Sequence, residues 1–173
     1  MSSQANSPAA LPLLPKIKSK PILDQVFTHR SLLRRPKRAF EDPPNSPNRD
    51  NEQLVNLGDQ VFGLVLTDLI RDSFPHLSVG PSSKVRDRLK YHGTLAKAAV
   101  LYGLHERLLV QAAQADEVKK SVHAQAEVFK AYVGGVYKEQ GLDVARDWLR
   151  SLFQADVREA YESERREHLL PPV

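Results

Sequence analysis

The stretch Asn51-Glu52-Gln53-Leu54-Val55-Asn56-Leu57-Gly58-Asp59 runs on into Val61, Phe62, Leu64, Val65, Leu66, Leu69 and Ile70, and its reading decides the fold. With Asp50 as N-cap, the spacing predicts one helix to about Ser73, apolar nearly all round. A helix of that kind belongs in the middle of a core. Asp59 lies deep inside the apolar run, where a carboxylate needs a cation, hydrogen bonds or a partner across an interface. Gly58 and Gly63 cost helix stability and predict close approach of a neighbouring helix or chain.

Outward from this helix, every other periodic segment is helical too. Pro21 opens a helix carrying Ile22, Leu23, Val26 and Phe27 on one face, ending near Arg35 because Pro36 restricts the residue before it. Residues 36–49 hold four prolines and read as an irregular loop. Phe74 to Pro81 reads as a turn, with Ser82 or Ser83 capping the next helix. Thr94 caps a short helix stopped by Gly103, and a polar stretch from Gln111 to Lys120 follows. A helix from about Ser121 to Gln140 is halted by Gly141, and Asp143 caps a last amphipathic helix bearing Trp148, Leu149, Phe153 and Val157. No useful β-alternation appears, so the expected fold is all-α. Residues 1–20 are expected to be a disordered tail, 21–165 one domain and 166–173 a C-terminal tail.

At 173 residues, with 41% hydrophobic and 27% charged side chains, the chain fits one packed domain. Cysteine is absent, which excludes a disulfide framework, a thiolate nucleophile and cysteine-based metal sites. That is compatible with a reducing, intracellular setting, and leaves nucleus, cytoplasm and mitochondrion open. No apolar run reaches membrane-spanning length and no signal-peptide core is visible, so no membrane partner is expected. The net charge of +4 is unevenly spread: residues 1–49 carry +6 and the remainder −2. Arg34, Arg35, Lys37 and Arg38, with Lys84, Arg86, Arg88 and Lys90 further on, form basic clusters suited to phosphate contacts, or else a solvated surface. The six histidines show no ligand spacing within one helix and read as surface or core residues.

The second informative segment is Ala126-Glu127-Val128-Phe129-Lys130-Ala131-Tyr132-Val133-Gly134-Gly135-Val136-Tyr137. Glu127 and Lys130 stand at i and i+3 on one face. On residues alone, this is a Glu–Lys pair plus one satisfied core aspartate elsewhere.

Together, however, the segments resemble the ribonuclease III family. The likeness is carried by Phe27-Thr28-His29-Arg30-Ser31, by the Asn51–Asp59 stretch, and by Phe74-Pro75, Ser83-Lys84-Val85-Arg86, Thr94-Leu95-Ala96, Tyr102-Gly103-Leu104 and the Glu127–Gly141 segment. It is collinear over about residues 22–155. The single-domain form resembles fungal members most.

The resemblance implies a helical domain that dimerises across the signature helix and cuts double-stranded RNA with Mg²⁺ held by four carboxylates. In this chain the first of those positions is Val55, the second keeps its acid as Asp59, the third is Glu127 in place of aspartate, and the fourth is Lys130. Site charge falls from four negatives to a net of one. Mg²⁺ demands near-octahedral oxygen ligation, and a protonated lysine offers no lone pair. The expectation is therefore a degenerate site in which Lys130 replaces the cation, with no metal or other cofactor bound. The implied role is a dimeric component that binds structured or double-stranded RNA, or serves in a ribonucleoprotein, a ribosomal one included. Two alternatives stay open. One is an active Mg²⁺-dependent double-stranded RNA endonuclease using Asp59, Glu127, Glu52 and waters. The other is a protein–protein scaffold pairing with an active paralogue, as a heterodimer rather than a homodimer.

Overall fold

The computed structural model describes residues 10–33, 40–41 and 49–169. Among these residues six α-helices follow in order: α1 (Lys20–Phe27), α2 (Glu52–Ser73), α3 (Val79–Leu89), α4 (His92–Leu101), α5 (Ala115–Lys120) and α6 (Val122–Leu169). Among the described residues there is no strand, only a parallel bridge between Thr28 and Leu109.

The long apolar helix lies where its sequence put it, against α6. Leu54, Val61, Phe62, Val65, Leu66, Leu69 and Ile70 of α2 are all buried. Phe62 packs edge-on to Phe153 and Phe129 at ring separations of 4.9 and 6.1 Å, and Trp148 extends the cluster. The apolar surface of α2 is thus largely satisfied within the chain, leaving Leu57 half-buried and Leu64 exposed. Gly58 and Gly134 make this packing unusually close. A Cβ on Gly58 would lie 1.8 Å from the Lys130 carbonyl oxygen, and one on Gly134 would lie 2.3 Å from the Leu54 carbonyl oxygen. The two backbones touch, as the glycine at 58 led us to expect.

Gly141 breaks α6 into two arms through φ 84° and ψ 179°, a conformation open to glycine and strained for other residues. The halt at this position was legible in the sequence. Gly103, at φ 64°, likewise follows the end of α4. The N-terminal half of the chain departs further from expectation. The first helix stops at Phe27, not Arg35, because residues 27–29 pair with other segments: Leu109 N–H donates to the Phe27 carbonyl (2.8 Å), His29 N–H to that of Leu109 (3.0 Å), and Asn51 N–H to that of Thr28 (2.9 Å). A 3₁₀ turn, Arg30–Leu32, follows. Helix α3 begins at Val79, earlier than the serines at 82 and 83, since Pro81 is tolerated in a first turn. Helix α4 begins at His92, so Thr94 lies inside it.

The boundaries expected for the tails shift as well. Residues 10–19 lie against the domain: Ile17 is buried, the Tyr132 hydroxyl donates to the Pro15 carbonyl (2.7 Å) and the Tyr102 hydroxyl to that of Pro12 (2.8 Å). Glu139 accepts from the Lys18 N–H (2.9 Å) and from Ser19, supplying the acceptors that the entrance to α1 needs. At the other end, α6 continues to Leu169.

Candidate functional site

Asp59 follows Gly58 directly, so the backbone contact between α2 and α6 delivers it to Lys130. The Lys130 ammonium lies 3.0 Å from Asp59 Oδ1. A second lysine completes the arrangement: Lys90, just past the end of α3, donates to Asp59 Oδ2 at 2.8 Å. It reaches across Gly63, whose bare Cα leaves the ammonium 3.5 Å from where a Cβ would stand. The three side chains are 23% (Asp59), 14% (Lys130) and 28% (Lys90) exposed. Burial alone would raise the Asp59 carboxyl, but the hydrogen bonds and charges of Lys90 and Lys130 outweigh it and hold the group below the ordinary carboxylate range.

Glu127 goes elsewhere. Its carboxylate lies 3.0 Å from His123 Nε2, one turn earlier on α6. Among the described residues no ion pair joins it to Lys130, so the expected sharing of one ammonium by both acids is met at Asp59 only. The His123 ring lies 5.0 Å from that of His92 at the start of α4. Burial, then the nearby charges of Lys130 and His123, hold His92 below the usual imidazole value. Burial does the same for His29, whose Nδ1 accepts from the Ser31 N–H.

Val55 is half-buried and packs on the core as an ordinary aliphatic side chain. Glu52 pairs with Arg30 at 3.0 Å on the surface and has no bond to the Asp59 cluster; its N–H is capped by Asp50 Oδ1 (3.1 Å). The donor set does not fit Mg²⁺: one aspartate oxygen faces each of two ammonium groups, an aliphatic side chain stands at position 55, and Glu127 is turned to a histidine. Among the described residues no three histidine or acidic side chains are grouped as metal ligands.

The basic cluster expected to contact phosphate is split by the helix. Lys84 and Arg88, four residues apart, share one face of α3 and both reach Glu164 on α6, at 3.0 and 3.3 Å; Arg88 also pairs with Glu167 at 2.6 Å. Arg86 points to the other side, and among the described residues its ion pairing is a 3.6 Å contact to its neighbour Asp87. Arg34, Arg35, Lys37 and Arg38 lie outside the described residues. Sequence reasoning missed Lys90 as a partner of Asp59 and the His92–His123 contact. Both join residues about thirty apart in the sequence, a distance at which periodicity carries no signal.

A sequence model of the ribonuclease-III-like family matches residues 19–157. The double-strand-specific pac1 ribonuclease of Schizosaccharomyces pombe is 33% identical over 153 residues, covering 84% of this chain and 40% of that protein. Ribonuclease 3 of Thermobifida fusca is 33% identical over 133 residues, covering 76% of this chain and 52% of its own length. The chain thus spans about half the length of these relatives. Among solved structures, the nuclease domain of ribonuclease III from Campylobacter jejuni matches with a TM-score of 0.67 at 26% identity, over 80% of this chain and 90% of that one. Dicer from Pichia stipitis matches with a TM-score of 0.61 at 28% identity, over 86% and 61% respectively. No helix among the described residues is long and apolar enough to cross a membrane.

Proposed function

The chain belongs to the ribonuclease III-like family, and we propose that within it this domain binds double-stranded RNA without cutting it by metal-dependent hydrolysis. One observation carries the reading. Asp59, the acid retained from the signature helix, already has both oxygens occupied by the ammonium groups of Lys90 and Lys130. A divalent cation would have to displace two buried or half-buried charges and would find neither a carboxylate at 55 nor one at 130. What the family obtains from a metal, charge neutralisation of the α2–α6 contact, this chain obtains from its own side chains.

RNA binding is supported by kinship with a double-strand-specific ribonuclease and by cationic groups beside Asp59 and on the neighbouring face of α3, Arg86 and Lys90 among them. Assembly as a two-fold homodimer is part of the same reading. The Campylobacter jejuni nuclease domain, 26% identical, has a region involved in dimer formation, and the contact expected here lies near residues 51–62 at the start of α2. A place in an intracellular ribonucleoprotein fits a domain that holds RNA and leaves it intact.

Incubation with a long RNA duplex tests both halves. Binding is expected to be equal in Mg²⁺ and in EDTA, to weaken steeply with salt, and to leave the RNA uncut. Cleavage in Mg²⁺ or Mn²⁺ that stops in EDTA would establish the alternative, a nuclease like its relatives.

A further inference from the structure

Between α2 and α3, beside the Asp59 cluster, lies an open cleft of about 540 Å³ lined by Gln60, Gly63, Leu64, Thr67, Arg86 and Lys90, with Asp87 at its rim. Its size suits a sugar-phosphate unit. Its charge does too. Lys90 and Lys130 share the Asp59 carboxylate. Among the described residues Arg86 is ion-paired with Asp87 alone, at 3.6 Å, and Asp87 is largely in water. Of the charged residues that line the cleft, Arg86 and Lys90 stand against Asp87, which leaves the lining at +1, the complement of one phosphodiester. Of the two lysines on Asp59, Lys130 is the more enclosed and Lys90 the more open, so Lys90 can keep its bond to Asp59 and still turn donors outward. The other basic residues of α3 are committed elsewhere, Lys84 and Arg88 to Glu164.

We propose that this α2–α3 cleft is a metal-free phosphodiester seat, in which Arg86 and Lys90 grip the RNA backbone directly. The inference rests on the RNA-binding reading above and names its contact surface. Arg86 supplies the planar fork that phosphate oxygens accept in pairs, and Lys90 a point charge already oriented by Asp59. The surface is narrower than the basic run in the sequence suggested: Arg86 and Lys90 remain, and Lys84 and Arg88 drop out.

The test uses the full chain in EDTA, with two probes: a duplex RNA of about 20 base pairs followed by anisotropy, and inorganic phosphate followed by amide NMR shifts. Arg86→Gln and Lys90→Gln should each weaken duplex binding roughly 3- to 10-fold and lower the salt slope by about one. Lys84→Gln should stay within about twofold of wild type. Phosphate should shift the amides of Gln60, Gly63 and Thr67. Among the described residues no ion pair joins Arg86 to Asp59, so unfolding midpoints equal to wild type in Arg86→Gln separate a lost phosphate contact from a disturbed Asp59 cluster. Wild-type affinity in both the Arg86 and Lys90 variants, or an equal loss in Lys84→Gln, would overturn the seat while leaving RNA binding standing. If the wild type binds no duplex, the RNA reading fails. Phosphate shifts at Gln60 and Gly63 that vanish in Arg86→Gln would then still support an anion seat, and their absence would overturn it.

Discussion

Asp59 on α2 and Glu164 near the end of α6 are both carboxylates holding two cations, and the comparison separates a site from a tether. Glu164 is the more buried of the two, its side chain 5% exposed, yet its lysine partner Lys84 is 67% exposed and its arginine stands half in water. At Asp59 the acid is more open and the cations more enclosed. The cations at Glu164 retain most of their hydration when the acid is removed, so that triad ties α3 to the last turns of α6 at modest energetic consequence. At Asp59, Lys130 has little water to return to, and removing either partner strands a charge. The enclosed triad is also the one at the positions where the family resemblance implies metal ligands, beside the backbone contact of Gly58 with Lys130.

That contact offers the largest way to break the comparison. Gly58→Ala would drive a methyl group into the Lys130 carbonyl, 1.8 Å away, forcing α2 from α6 at a cost of about 3 kcal/mol. Urea unfolding should show the loss, and the Glu164 side should keep its pairing. Next in size, Lys130→Ala should cost about 2 kcal/mol at pH 7, below the figure for a fully buried pair because Lys90 remains. The same change made on an Asp59→Asn background should cost less, since the stranded charge is gone. Glu164→Gln should lower the unfolding midpoint by less than Lys130→Ala does. The reverse order would place the enclosed triad at the wrong acid.

Much of this was legible in the residues, for identifiable reasons. Helix α2 was read correctly because its apolar positions exceed what any surface helix carries, and Gly141 and Gly103 were read because a positive φ selects glycine. The Asp59–Lys130 partnership followed from family positions on two helices. Other features left no trace. Lys90 reaches Asp59 across thirty-one residues of sequence, and the alternation of Lys84, Arg86, Arg88 and Lys90 looks like one cluster until the helix turns them to opposite sides. Residues 10–19 look like a tail because their anchors, the hydroxyls of Tyr102 and Tyr132 and the carboxylate of Glu139, come from far along the chain. The helix ending at Phe27 depended on backbone pairing with Leu109, which no local pattern encodes.

Acid sharpens the comparison by a smaller effect. Asp59 and Glu164 both have lowered carboxyl values in the fold, Glu164 chiefly through the hydrogen bond from Lys84. Their contributions are complete above the unfolded values, 3.8 and 4.5, and are lost as pH falls through the lower folded ones. His92 acts sooner. Its folded value is depressed below 6.5, so the unfolded chain takes up a proton first and stability declines as pH drops below about that point. His29 contributes in the same sense. Unfolding midpoints between pH 7 and 5 should fall in the wild type and fall less in His92→Asn. An unchanged slope in that variant would show that His92 is not held neutral beside Lys130.

The lysine-filled site itself is tested most directly by thermal unfolding with and without millimolar Mg²⁺ or Mn²⁺, on the wild type beside the triple variant Val55→Glu, Glu127→Asp, Lys130→Glu. With Asp59 occupied by two ammonium groups, the wild-type midpoint should be unmoved by either metal. The triple variant, with four acids restored, should be less stable without metal and should regain stability as metal is added, by mass action. A wild-type midpoint that rises with metal, in step with metal-dependent cleavage of duplex RNA, would contradict the lysine-filled site and return the chain to the working nucleases of its family.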